Sequence, residues 1–129
     1  MATSWGVLGD IERNRGNWDQ AELLYQQCLH VCEELGDRSG IAYSIGSLGE
    51  VELERRNLDL AEQYLKDAND RFNLLNQPSG VAEVTYRLAK LYCAKDNPTK
   101  TQEHYAIAHQ MFTDLGAMKD VEKMENEEW

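Results

Sequence analysis

Cys28, His30 and Cys32 are the first residues in the chain whose types and spacing could do chemistry, since two thiols and an imidazole within one short stretch can hold zinc. Four-residue spacing puts Cys28 and Cys32 on one helix face, and His30 points elsewhere. Both cysteines fall on a stripe of apolar positions, so they are read as packed thiols rather than ligands, with His30 in solvent. Cys93 has no His or Asp at a helical spacing that would activate it. His104 and His109 lack any nearby ligand spacing and are read as surface or half-buried. A Gly-rich phosphate loop, a nucleophile elbow and an HExxH run are all missing. Plentiful carboxylates read as solvated faces. We expect no catalytic residue, no metal ligand and no cofactor, hence no enzyme.

Charge narrows the partners. A formal net charge of −10 over 129 residues opposes a phosphate backbone, so nucleic acid is not an expected ligand. No run of about eighteen apolar residues exists to cross a bilayer, and MATSWGVLGD has neither the basic start nor the apolar run of a signal peptide. A cytoplasmic setting and no membrane partner are expected. The three cysteines form an odd set without framework spacing, which suits reduced thiols.

The elements that carry these residues repeat with an offset of 40. Leu8, Leu48 and Leu88 align, as do Gly9, Gly49 and Ala89, then Asn17, Asn57 and Asn97. The second half of each unit keeps the register: Ala21, Ala61 and Thr101; Cys28, Ala68 and Ala108; Cys32, Phe72 and Phe112; Leu35, Leu75 and Leu115. From Ala21 the apolar series runs Leu24, Tyr25, Cys28, Cys32 and Leu35, in steps of one helix face. One helix cannot bury that stripe alone, so each unit reads as two antiparallel helices, with Gly9 and Gly49 letting the helices approach closely. Units are expected at about 2–36, 40–76 and 80–116, with a partial unit or capping helix at about 117–129, all in one domain.

Turn chemistry agrees. Asn17, Asn57 and Asn97 stand at helix N-cap positions, Asn17 with Gln20 in a variant capping box, and Pro98 follows at the first helical position. GDRSG at Gly36–Gly40 and NQPSG at Asn76–Gly80 supply breakers and Ser or Asp caps between units.

The order Trp5, Leu8, Gly9, Gly16, Ala21, Tyr25 resembles the tetratricopeptide repeat signature: a large aromatic, Leu-Gly, a turn Gly, Ala and an aromatic. The unit is longer than the usual ~34 residues, and in this it is similar to the long variant of kinesin light chains and bacterial regulatory proteins. Glu12 and Glu52 stand where the family places an aromatic, which returns as Tyr92; Thr101 replaces the third Ala, and the closing Pro is missing. The resemblance implies an all-α, right-handed α-solenoid of three helix-turn-helix repeats plus a C-terminal helix. It also implies a concave surface, lined by the first helix of each pair, that binds a peptide or protein segment.

Helix geometry names the side chains on that surface, since they must avoid the buried stripe and share the opposite face. Unit one offers Thr3, Gly6, Asp10 and Arg13; unit two Tyr43, Gly46, Ser47, Glu50 and Glu54; unit three Glu83, Tyr86, Arg87, Lys90 and Ala94. The expected contact set is Asp10, Tyr43, Ser47, Glu50, Glu54, Tyr86, Arg87 and Lys90. An acidic first part and mixed second part favour a partner with basic residues, although the same charges also fit a plain solvated face. Two acids, Asp10 and Glu50, stand where a two-carboxylate clamp for a chaperone tail would need cations. Trp18, opposite Leu58 and Pro98 in the other units, is read as packing against the adjacent turn, with an exposed contact as the alternative.

The ends raise a further question, because an end unit leaves an apolar face uncovered unless something caps it. Val121 and Met124 are spaced to fold back as a short cap, leaving Trp129 outside it; before Trp5 there is almost nothing. Two readings follow: a piece of a longer array, or a homodimer through open ends. For function, a non-catalytic interaction scaffold stands first. The alternative is a regulatory or sensory segment of a larger signalling protein that controls an attached effector domain.

Overall fold

The computed structural model describes residues 2–127, with side chains from Ser4 onward. Trp129 lies outside the described residues, as does the side chain of Thr3. Among the described residues seven helices follow one another: α1 (Ala2–Asn14), α2 (Trp18–Leu35), α3 (Arg38–Glu54), α4 (Leu58–Leu74), α5 (Pro78–Ala94), α6 (Pro98–Asp114) and α7 (Met118–Asn126). Each packs on the helix before and the helix after it. Beyond these neighbours, α1 touches α3 and α3 touches α5, whereas α2, α4 and α6 do not meet one another among the described residues. The first helices of the pairs therefore lie on the inner side of an all-α repeat solenoid, and the second helices on the outer side.

Six tight turns set this path. Gly16, Arg56 and Asp96 end the first helices and Gly36, Asn76 and Gly116 end the second, all with positive φ. In each turn the following N–H reaches back to the sixth carbonyl, as in Asn17 to Glu12, Asp37 to Cys32 and Asn97 to Tyr92, each at 2.9 Å. Capping departs from expectation at two of the three asparagines. Asn97 Oδ1 accepts from the Lys100 N–H at 3.2 Å, but Asn17 and Asn57 make no cap bond. Their Nδ2 groups instead donate to Glu12 at 2.7 Å and to Glu52 at 2.9 Å. The two glutamates that replace the family aromatic thus capture the two asparagines. Where Tyr92 restores the aromatic, Asn97 is left to cap. Asp37 caps α3 by accepting from Gly40 N–H at 3.0 Å.

The core runs as a line. Ala21, Tyr25, Leu48 and Val51 form one cluster, Ile45, Leu65, Ala68, Phe72, Val84, Leu88 and Leu91 the largest, and Ala82, Tyr86, Ala108, Phe112, Val121 and Met124 the last. Gly49 brings α3 onto α4, where an added Cβ would stand 2.9 Å from the Leu65 side chain. Three aligned apolar positions leave the pattern. Leu35 and Leu115 are exposed because α2 and α6 end there, and Leu8 is exposed because no described helix covers on α1 the face that Leu48 and Leu88 bury. Trp18 is also exposed at the start of α2.

Candidate protein-binding groove

The inner helices carry two polar networks. At the α1 end, Asp10 accepts from the hydroxyls of Tyr25 and Tyr43, the latter at 2.7 Å. Burial, with those bonds to Asp10, holds both phenols well above the ordinary tyrosine range. Deeper along the groove, Glu50 sits between two guanidiniums, 3.1 Å from Arg13 and 2.7 Å from Arg87. Burial opposes ionisation of Glu50, but Arg87 and Arg13, with Lys90 beyond, outweigh it and lower its pKa. Arg13 also reaches Glu54 at 3.4 Å, and burial pushes the Glu54 carboxyl upward. Lys90 lies 4.8 Å above the Tyr86 ring and bonds Glu127 at 2.9 Å, with Lys123 5.8 Å from the same ring. Burial lowers the Lys90 pKa and raises that of Glu127. Cations from α1 and α5 thus alternate with acids from α3 and the chain end.

Beside these networks two half-open cavities lie one repeat apart. The first, about 370 Å³, is lined by Val7, Cys28, Cys32, Asp37, Gly40 and Tyr43, together with Ser39. The second, about 290 Å³, is lined by Phe72, Ser79, Gly80, Glu83, Val84 and Arg87, and shares Ser39 and Tyr43 as its wall. Cys32 and Phe72, Ser39 and Ser79, Gly40 and Gly80 are equivalent positions of successive units, so the repeat builds the same slot twice.

The structure distributes the sequence-derived residues over three depths. Tyr43 stands exposed between the cavities; Asp10, Glu54, Arg87 and Lys90 are half-buried with their charges already engaged; Ser47 and Tyr86 lie buried beneath them. Glu50 belongs to the buried ion row rather than to an open acidic face. Cys28 and Cys32 are buried, and burial with the neighbouring Cys28 pushes the Cys32 thiol up to about 11. His30 is exposed beside Glu34 at 2.7 Å, His104 Nδ1 donates to the Lys100 carbonyl at 2.8 Å, and His109 pairs with Glu125 at 3.0 Å. Among the described residues no group of three or more His, Cys, Asp or Glu is placed to hold a metal, and no helix is long and apolar enough to cross a membrane.

Sequence reasoning missed one recurring set. Arg55 reaches back from α3 to Asp19 and, at 2.7 Å, to Glu22. Lys95 does the same from α5 to Asp59 at 2.9 Å and Glu62 at 2.7 Å. The signal was available: Arg15, Arg55 and Lys95 are 40 apart, as are the acid pairs Asp19/Glu22 and Asp59/Glu62.

Stacked helix pairs with a first-helix inner face define a helical repeat protein. Tetratricopeptide repeat is the family whose pattern matches residues 1–72, more than half of the chain, and the protein belongs to it. Such repeats generally mediate protein–protein interaction. Among solved structures, the crystal structure of BtubC (BKLC) from P. vanneervenii is similar with a TM-score of 0.72 and 22% identity, over 96% of this chain. The chain spans 59% of the length of that structure, and the likeness is one of fold. No curated protein matches the sequence.

Proposed function

We propose that the chain is a non-catalytic scaffold that binds a peptide or protein segment laid across α1, α3 and α5. The observation that supports this most directly is the pair of equivalent cavities sharing the Ser39–Tyr43 wall. Packed helices lie roughly 8–10 Å apart, and an extended chain advances about 3.3 Å per residue. Side chains about three positions apart on a bound segment would therefore enter successive slots. Tyr43 is the central contact, with Asp10, Glu54, Arg87 and Lys90 around it and Ser47, Glu50 and Tyr86 holding them from below. The exposed acids at the cavities are Asp37 and Glu83, which favours Lys or Arg on the segment near them.

A photo-crosslinking residue at Glu83, compared with one at Gln63 on the outer helix α4, tests this in source-cell extract. A partner captured from position 83 but not from position 63, and lost in Tyr43→Ala, is the expected result. Capture that is equal from both positions, or indifferent to Tyr43→Ala, refutes the groove.

A further inference from the structure

The outer edge of α1 presents a surface that the other units use. Leu48 and Leu88 are each 3% exposed and Val51 and Leu91 are at 0%, because each pair packs on the second helix of the preceding unit. At the equivalent positions Leu8 is 46% exposed and Ile11 40%. The cation follows the same rule. Side chains of Arg55 and Lys95 are 18% and 27% exposed, folded over the acid pairs of α2 and α4, whereas Arg15 is 67% exposed and, among the described residues, bonds only the neighbouring Glu12, at 3.2 Å. Two apolar side chains and one cation are thus set out in the geometry that elsewhere in this molecule receives a helix.

We propose that Leu8, Ile11 and Arg15 form a docking surface for an amphipathic helix of a partner protein, one with carboxylates at i and i+3 within its first two turns and a small residue six positions after the second. This description is copied from the two helices that fill the equivalent site: Asp19, Glu22 and Cys28 on α2, and Asp59, Glu62 and Ala68 on α4. Charge complementarity to Arg15 selects the acids, and the small residue follows Cys28, which lies against Ser44 at 3.2 Å, the position that Ser4 holds on α1.

A second copy of this chain does not fit. The matching positions on α6 are Thr99 and Gln102, which carry no charge for Arg15. In the register of the repeat, residues 2–6 of an incoming α1 would also coincide with residues 122–126, where α7 already packs through Val121 and Met124 on Ala108 and Phe112. The surface is separate from the groove, so the failure of either proposal leaves the other standing.

The test titrates the full chain, with Ile, Leu and Val methyls labelled for NMR, against a capped peptide copying Asn57–Leu74. A lactam between Asp67 and a Gln63→Lys change, both on its solvent side, keeps the peptide helical. Saturable shifts at Leu8 and Ile11, weakened at least tenfold when the peptide carries Asp59→Asn and Glu62→Gln, are expected. Arg15→Glu, an exposed change that leaves the fold intact, should abolish binding, and a peptide with Asp59→Lys and Glu62→Lys should restore it to that variant. Equal binding by the neutral peptide, shifts confined to the Tyr43 groove, or no saturable binding overturns the proposal. So does self-association of the unaltered chain in sedimentation that Leu8→Glu removes, because the occupant would then be a second copy.

Discussion

Gly46 and Gly49 lie three residues apart on α3, both buried, and replacing each with alanine should change stability in opposite directions. In a helix interior Ala is favoured over Gly by roughly 0.5–1 kcal/mol, because less backbone freedom is lost on folding. At Gly46 the new methyl would meet Arg87 Nη1 at 3.4 Å, Ala68 Cβ at 3.5 Å and Val84 Cγ2 at 3.6 Å, all ordinary contacts. Gly46→Ala should therefore stabilise by about 1 kcal/mol, propensity and a little apolar burial acting together. At Gly49 the methyl would lie 2.9 Å from both Leu65 Cδ2 and Cγ and 3.1 Å from Tyr64 Cβ. Leu65 is fully buried and has nowhere to retreat, so overpacking of roughly 1–3 kcal/mol exceeds the propensity gain. The expected net loss is about 1 kcal/mol. Urea unfolding followed by far-UV circular dichroism reads both signs from the midpoint at constant slope. Leu65→Ala in the Gly49→Ala background should then cost less than Leu65→Ala alone, since the methyl fills part of the space. Two glycine variants that shift in the same direction would refute the assignment of Gly49 as the point of closest helix approach.

Other expectations follow from the same contacts. Arg56 holds a φ of 70° where the equivalent turn of unit one has Gly16, so Arg56→Gly should raise stability by roughly 0.5–1 kcal/mol in the same unfolding assay. Glu50→Gln leaves Arg13 and Arg87 without their shared partner and should cost about 3 kcal/mol, whereas the triple change Arg13→Met, Glu50→Leu, Arg87→Met should recover most of it; calorimetry distinguishes the two. Hydrogen bonding from Lys95, working against burial and aided by Lys66 and Tyr92, lowers the Glu62 pKa to about 2. Its folded value lies below its unfolded one, so its contribution is present above about 4.5 and is lost as the pH falls toward 2; Glu62→Gln should flatten that limb of a urea-midpoint pH profile. With its thiol raised to about 11 and buried, Cys32 should resist a disulfide reagent at pH ~8 in the folded chain and react on addition of urea.

How far the sequence carries is visible at single positions. An offset of 40 held through Leu, Gly, Ala and Asn positions makes the helix pairs and their stacking legible, because burial and turn geometry recur with the backbone. It fails at Leu8, where the residue type matches its copies but no described helix covers the face, and at Leu35, where the helix ends. Asn17 and Asn57 show a second limit. N-cap preference is a local rule, and a carboxylate five residues earlier, Glu12 or Glu52, captures the side chain first.

The groove exposes the third and largest limit. Helix periodicity puts Asp10, Tyr43, Glu50, Glu54, Arg87 and Lys90 on the first helices, but it says nothing of who pairs with whom. Arg13 and Glu50 are 37 residues apart, as are Glu50 and Arg87, so each ion pair is made only when one unit stacks on the next. Read one helix at a time, Asp10, Glu50 and Glu54 add up to an acidic surface. Read across three helices, the same acids are held between cations and phenols, and the exposed carboxylates at the cavities are Asp37, which caps α3, and Glu83, 3.5 Å from Arg87. Stacking therefore fixes the electrostatics of the inner face as well as its shape. By the same reasoning Arg15, a cation like Arg55 and Lys95, differs from them in that no described helix stacks acids against it.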